Sequence, residues 1–148
     1  IMRYIFLQQF EIQDDGDTIK GTLPVTKDWE VFQDHFPGFP IMPGALILET
    51  MAQHCVALML EHKQGDDPVV PTLIQVDRAK FKEPVFPDCT LDIEVKKEIA
   101  MYPNFKFSSK ASINNRVVSE ARLTMAFRDV GMGQGLDFMG FFFKGMQK

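Results

Sequence analysis

The feature that most constrains this chain is a loop rich in proline and glycine that leads directly into a long apolar segment. The loop reads D-H-F-P-G-F-P-I-M-P-G from Asp34 to Gly44, and the apolar segment continues to Leu60. Proline fixes φ and glycine reaches backbone conformations closed to other residues, so we expect a rigid, sharply bent loop. The apolar segment is predicted to be a buried helix over about 44–63, ended by the glycine and proline that follow it.

Alternating polar and apolar residues predict strands on both sides of this helix. Two strands precede it, over 4–12 and 18–25, with a short helical turn over 27–32 before the loop. Four strands follow it, over 69–82, 90–100, 105–113 and 117–127, and Asn114 with Asn115 makes a two-residue turn before the last. An antiparallel sheet whose dry face wraps one helix buries both elements, so the predicted class is α+β. The open edges of such a sheet predict at least a homodimer.

Length and composition place these elements in one ordinary domain. The 148 residues are 45% hydrophobic, which is enough for one core. Their formal net charge of −4 argues against nucleic acid as the main partner, because nucleic-acid-binding proteins carry a basic surface. Cys55 and Cys89 form no CxxC pair and predict free thiols in a reducing compartment. We find no signal peptide or spanning segment and expect a cytoplasmic protein. The domain is predicted over 1–130. An apolar extension rich in Gly, Met and Phe over 131–148 is expected to pack against the domain or a neighbouring subunit, and contact with a membrane surface is the alternative.

Four residues around the loop and helix suggest chemistry. His35 supplies an imidazole, the natural general base near neutral pH. Glu49 and Gln53 lie one turn apart on one face of an otherwise apolar helix. Gly44 opens that helix, where backbone N–H groups lack intrahelical partners and the helix dipole is positive. A base, an acid and a carbonyl-binding N–H are the groups needed to eliminate water from a β-hydroxyacyl thioester.

Each of these residues also has a simpler interpretation. A histidine beside a proline loop is commonly only a satisfied polar group. A lone glutamate in an apolar helix could be half exposed or paired with a lysine. His54 and His62 lack the i, i+4 spacing of a helical metal pair, so we interpret both as surface or capping residues and predict no metal site.

The run H-F-P-G-F-P-I-M-P-G-A-L-I-L-E-T-M-A-Q, at 35–53, resembles the active-site segment of the hotdog-fold 3-hydroxyacyl-[acyl carrier protein] dehydratases, in the branch with a catalytic glutamate. A looser similarity continues through D-R-A-K-F-K-E-P-V at 77–85. The resemblance implies a hotdog fold and conversion of a (3R)-3-hydroxyacyl-carrier-protein thioester to the trans-2-enoyl thioester, in fatty acid or related acyl-chain synthesis, without a cofactor. The chain departs from the family at Phe39, at Asp88 and Cys89, and in having no tyrosine over 69–75. These departures concern the preferred acyl-chain length and the gating of the acyl tunnel.

The resemblance assigns a role to each residue. His35 is the base, the N–H of Gly44 binds the thioester oxygen, and Glu49 is the acid, because a carboxyl on an apolar wall can keep its proton near neutrality. Gln53 supports Glu49. Histidine and acid come from opposite subunits in the family, which places the site at a dimer interface, and an assembly of three dimers is compatible with this. The expected substrate-binding residues are Phe36, Pro37, Ile41, Met42 and Pro43.

Three basic residues, Arg78, Lys80 and Lys82, alternate along a predicted strand and so project on one side. They form either an ordinary solvated face or a docking surface for an acidic acyl carrier protein with its phosphopantetheine. Two other functions stay open. One is a hotdog thioesterase or hydratase acting on coenzyme A esters, and the other is a non-catalytic acyl-binding or assembly partner.

Overall fold

A computed structural model describes residues 4–65 and 69–129 of the chain. The predicted extension over 131–148 lies outside the described residues. The elements in chain order are β1 (Gln9–Ile12), β2 (Thr18–Val25), α1 (Val31–Asp34), α2 (Gly44–Leu60), β3 (Val69–Phe81), β4 (Cys89–Met101), β5 (Asn104–Ile113) and β6 (Arg116–Asp129). All six strands form one antiparallel sheet in the order β1-β2-β4-β5-β6-β3. The predicted α+β class, with one long helix against one sheet, is confirmed.

Helix α2 is the centre of the core. Every residue from Thr50 to Met59 is buried, which explains why the helix is apolar around most of its circumference. The inner face of the sheet supplies the opposing side chains, among them Ile19, Leu23, Leu91, Val95, Phe105, Phe107 and Leu123. Each such side chain contributes roughly 1.5–3 kcal/mol by leaving water. No helix within the described residues is both long enough and apolar enough to span a bilayer.

The amino-terminal strand is shorter than predicted, because backbone groups of Tyr4, Phe6 and Leu7 bond to Gln53 of helix α2 instead of to a neighbouring strand. The side-chain oxygen of Gln53 accepts hydrogen bonds from the N–H groups of Phe6 and Leu7, at 2.7 and 3.1 Å. The Gln53 amide nitrogen donates to the Tyr4 carbonyl at 2.8 Å. Phe6 and Leu7 are consecutive and both buried, a pattern that an alternating strand cannot produce.

The remaining boundaries differ from the prediction by a few residues. Helix α1 starts four residues later than the predicted helical turn, and helix α2 ends at Leu60 instead of 63. Asn114 and Asn115 have φ values of 50° and 63°, so the predicted two-residue turn is confirmed. Cys55 and Cys89 are free thiols, and burial raises the pKa of both.

Candidate active site

His35 is held by the backbone of the loop that follows it. Its Nδ1 lies 2.8 Å from the carbonyl oxygen of Ile41, so Nδ1 carries the hydrogen and donates it. A backbone hydrogen bond joins the same two residues, since the N–H of Ile41 donates to the His35 carbonyl at 2.9 Å. The imidazole also stacks on Phe36, with ring centroids 4.3 Å apart. This arrangement leaves Nε2 as the nitrogen that can take a proton from a substrate.

The loop is bent as its prolines and glycines predicted. Phe36 and Phe39 exchange two backbone hydrogen bonds, at 3.1 and 2.8 Å, around Gly38, whose φ of 75° favours glycine.

The predicted substrate-binding residues differ in burial. Phe36 and Pro37 are exposed, Ile41 and Pro43 are half-buried, and Met42 is in the core.

Helix α2 begins where a carbonyl-binding site was predicted. Pro43 is the N-cap, and its carbonyl accepts hydrogen bonds from the N–H groups of Leu46 and Ile47, at 2.9 and 3.3 Å. Among the described residues, none accepts a hydrogen bond from the N–H of Gly44 or Ala45. These two donors, at the positive end of the helix dipole, can bind an oxygen that gains negative charge.

Glu49 and Gln53 are neighbours on helix α2, as their spacing predicted. The Gln53 amide nitrogen donates to Glu49 Oε1 at 3.0 Å. Because the same amide also binds the Tyr4 carbonyl, and its oxygen binds two further N–H groups, Gln53 is a fixed support for the carboxylate. Glu49 itself is exposed in the single chain. The expected apolar wall around it is therefore wrong for one subunit, since the face of α2 that carries Ala45 and Glu49 is not covered by the chain's own sheet.

The single chain brings some predicted residues together and leaves others apart. Gly44, Glu49 and Gln53 share one helix, and His35 lies in the loop before it. Within the described residues of one chain, no hydrogen bond joins His35 to Glu49. Their convergence across two subunits stays a prediction.

His54 was predicted to be a surface or capping residue, and this is wrong. Its side chain is fully buried, with Nδ1 lying 2.8 Å from the Thr50 carbonyl oxygen. Burial lowers the pKa of the imidazole. Gly21 makes room for the ring, because a Cβ at that position would lie 2.3 Å from Nε2. The sequence contained a signal for this site: Gly21 stands between Ile19 and Leu23, on the inward side of an alternating strand.

His62 lies just past the end of α2 and is half-buried. Its N–H donates to the Met59 carbonyl at 2.9 Å, and its Nε2 lies 2.6 Å from the Nζ of Lys97, which also pairs with Asp17 at 2.9 Å. The described residues contain no group of three or more side chains suited to hold a metal ion.

Arg78, Lys80 and Lys82 lie near one another, but not through the regular strand alternation that was predicted. A β-bulge between Asp77 and Lys80, with Arg78 at a φ of 50°, interrupts the strand. Lys80 and Lys82 both approach the Glu120 carboxylate, at 3.9 and 3.4 Å. Arg78 and Lys80 line a shallow groove of about 260 Å³ that also contains Arg122. Glu120 therefore offsets part of the charge of Lys80 and Lys82, and docking of a carrier on this surface stays a prediction.

Comparisons with known sequences identify a family and several relatives. A profile of the FabA-like domain matches residues 6–122. The chain is 38% identical over 131 residues to the 3-hydroxyacyl-[acyl-carrier-protein] dehydratase FabZ of Fusobacterium nucleatum, covering 86% of this chain and 91% of that protein. It is 39% identical over 132 residues to the FabZ of Geobacter metallireducens, covering 86% and 87%.

Solved structures share the fold at lower identity. The dehydratase heterocomplex ApeI:P from Xenorhabdus doucetiae has a TM-score of 0.68 at 19% identity, covering 86% of each chain. A hypothetical thioesterase with coenzyme A from Streptococcus pneumoniae has a TM-score of 0.61 at 12% identity, covering 81% of this chain and 86% of that one. These likenesses confirm the predicted hotdog fold. Because dehydratase and thioesterase share it, fold alone does not choose between the two activities.

Proposed function

This chain belongs to the FabA-like domain family, and we propose that it dehydrates (3R)-3-hydroxyacyl-carrier-protein thioesters to trans-2-enoyl thioesters in fatty acid synthesis. The observation that carries this function is the 38% identity to a FabZ dehydratase across 86% of the chain. The site geometry adds a reason of its own. A base, two unpartnered N–H donors and a supported carboxyl group that can act as the acid are the groups that an elimination needs, whereas a binding module needs neither base nor acid.

The reaction can be written with these residues alone. Nε2 of His35 takes a proton from C2 of the substrate, and the charge that develops on the thioester oxygen is stabilised by the N–H of Gly44. The C3–O bond breaks as Glu49, in its protonated form, gives a proton to the leaving hydroxyl. Water leaves and the C2=C3 double bond remains. The proton on His35 then returns to Glu49, directly or through a water molecule, and both groups are reset.

We infer that the site is completed by a second copy of the chain. Two surfaces of the single chain support this. The face of α2 that carries Ala45 and Glu49 is exposed. Strand β3, 13 residues long, is an edge of the sheet and exposes Leu73, Ile74 and Phe81. A long apolar edge strand is stable in water when it is paired or covered, and a dimer that covers it would also enclose Glu49.

The substrate carrier is proposed to dock on Arg78, Lys80 and Lys82. The chain as a whole has a net charge of −4, so an acidic carrier needs a local positive surface to bind. A cytoplasmic location is also proposed, and the free thiols of Cys55 and Cys89 support it.

The test is turnover of carrier-bound 3-hydroxyacyl substrates by the wild type, His35→Ala and Glu49→Gln. Enoyl thioester absorbance reports dehydration, and release of free thiol reports hydrolysis. We expect enoyl product from the wild type and a loss of about 10²-fold or more in each variant, since each removes a group that transfers a proton. His62→Ala is the matched control and should retain wild-type turnover. Free thiol without enoyl product would show a thioesterase and contradict the proposal.

A further inference from the structure

Phe81 lies against the residue that begins helix α2. If Gly44 carried a Cβ, that atom would lie 2.9, 3.1 and 3.2 Å from Cε1, Cζ and Cδ1 of the Phe81 ring. The three nearest atoms all belong to one edge of this ring. The ring therefore fills the space that a side chain at position 44 would take, and it packs on the backbone that presents the first unpartnered N–H of the helix.

The backbone on each side of Phe81 is anchored to strand β6. The hydroxyl of Ser119 donates to the Lys80 carbonyl at 3.0 Å. The N–H of Lys82 donates to the Val118 carbonyl at 2.8 Å. Because Ser119 is also the register partner of Phe81, the ring extends from a fixed point of the sheet.

A second connection ties the same segment to the loop before the helix. The N–H of Met42 donates to the Val85 carbonyl at 2.8 Å. This main-chain hydrogen bond joins the segment just before Gly44 to the segment just after Phe81. Nearby Phe86 has a similar exposure, 42% against 49% for Phe81. It packs on Phe39 instead, with ring centroids 5.5 Å apart.

We propose that Phe81 is a positioning residue for the reaction. Its ring holds the start of α2 in place, so that the N–H of Gly44 points at the thioester oxygen. This inference rests on the proposed dehydration. It also explains glycine at position 44 by packing as well as by access of the substrate carbonyl, because any larger residue there would displace the ring.

The first experiment measures kcat and KM of Phe81→Ala with carrier-bound 3-hydroxyacyl chains of four and ten carbons. Removing one donor to a developing oxyanion lowers kcat by about 10²–10³-fold, and a displaced donor retains part of that effect. We expect kcat to fall about 30-fold with both chains and KM to change less than about threefold. Phe86→Ala, the matched control, should keep kcat within about threefold of the wild type.

Two kinetic outcomes would overturn the proposal. One is a kcat of Phe81→Ala as high as that of Phe86→Ala. The other is a loss that grows with acyl length or falls mainly on KM, which would show that the ring contacts the acyl chain instead of positioning the carbonyl donor.

The second experiment measures the contact itself by urea unfolding of Gly44→Ala, Phe81→Ala and the double variant. The three atoms nearest to the new Cβ at position 44 all belong to the Phe81 ring, so Gly44→Ala should lower the midpoint strongly in the wild-type background and much less when Phe81→Ala is already present. Additive midpoint shifts would contradict the proposed packing. This measurement needs no substrate, so it tests the contact even if the wild type forms no enoyl thioester, a result that would refute the proposed function instead.

Discussion

The buried imidazole of His54 should make the stability of this protein fall with decreasing pH. The side chain is 0% exposed, and burial holds the pKa of the folded-state imidazole below its ordinary value of about 6.5. Its Nδ1 bonds the Thr50 carbonyl, while Nε2 is the one buried side-chain nitrogen or oxygen in the described residues without a hydrogen-bond partner. A proton on Nε2 would therefore be buried and unpaired.

The sign follows from the protons bound in each state. Well above pH 6.5 the imidazole is neutral in both folded and unfolded chains, so His54 adds no pH dependence there. Below that pH the unfolded chain binds one more proton than the folded chain, and the free energy of unfolding falls as the pH falls. The slope from one proton cannot exceed about 1.4 kcal/mol per pH unit.

The assay is urea unfolding at fixed protein concentration, from pH 7.5 to 5.5, for the wild type and His54→Asn. The amide of Asn can still donate to the Thr50 carbonyl, but it does not titrate. We expect the wild type to lose up to about 1 kcal/mol more than His54→Asn between pH 6.5 and 5.5. His62→Asn, which removes a half-buried histidine, is the control for the loss of a histidine elsewhere in the chain. Parallel curves for the wild type and His54→Asn would refute the reasoning.

Two further predictions concern the site. Gln53→Leu should lower the free energy of unfolding by about 2–4 kcal/mol, because it leaves the buried N–H groups of Phe6 and Leu7 without an acceptor; a denaturation midpoint equal to that of the wild type would contradict this. Lys80→Glu combined with Lys82→Glu should raise KM about tenfold for carrier-bound substrate and leave KM for a short pantetheine thioester unchanged. Steady-state kinetics with both substrates checks the difference, and equal effects on both would remove the docking proposal.

The parts of the site that could be predicted from sequence are those determined by local chemistry. Proline and glycine define the loop around His35 and the start of α2 at Gly44, and helical periodicity alone places Glu49 beside Gln53. These residues are close in sequence, so their geometry depends little on the rest of the fold.

The parts that could not be predicted depend on distant contacts. The strand predicted over 4–12 begins only at Gln9, because Gln53, far along the chain, bonds the backbone of Tyr4, Phe6 and Leu7. His54 is buried because Gly21 on another element leaves space for it. Exposure of Glu49 in one subunit depends on which surface a partner would cover, and no single-chain pattern contains that information.

The central claim is that His35 of one subunit acts with Glu49 of another, and a mixed dimer tests it directly. His35→Ala and Glu49→Gln chains carrying different affinity tags can be co-expressed and the mixed dimer isolated. If the two groups meet across the interface, one of its two sites keeps both, and turnover should be about half that of the wild type. If both groups act within one chain, neither site is intact, and turnover of the mixed dimer no higher than that of either variant alone would contradict the account.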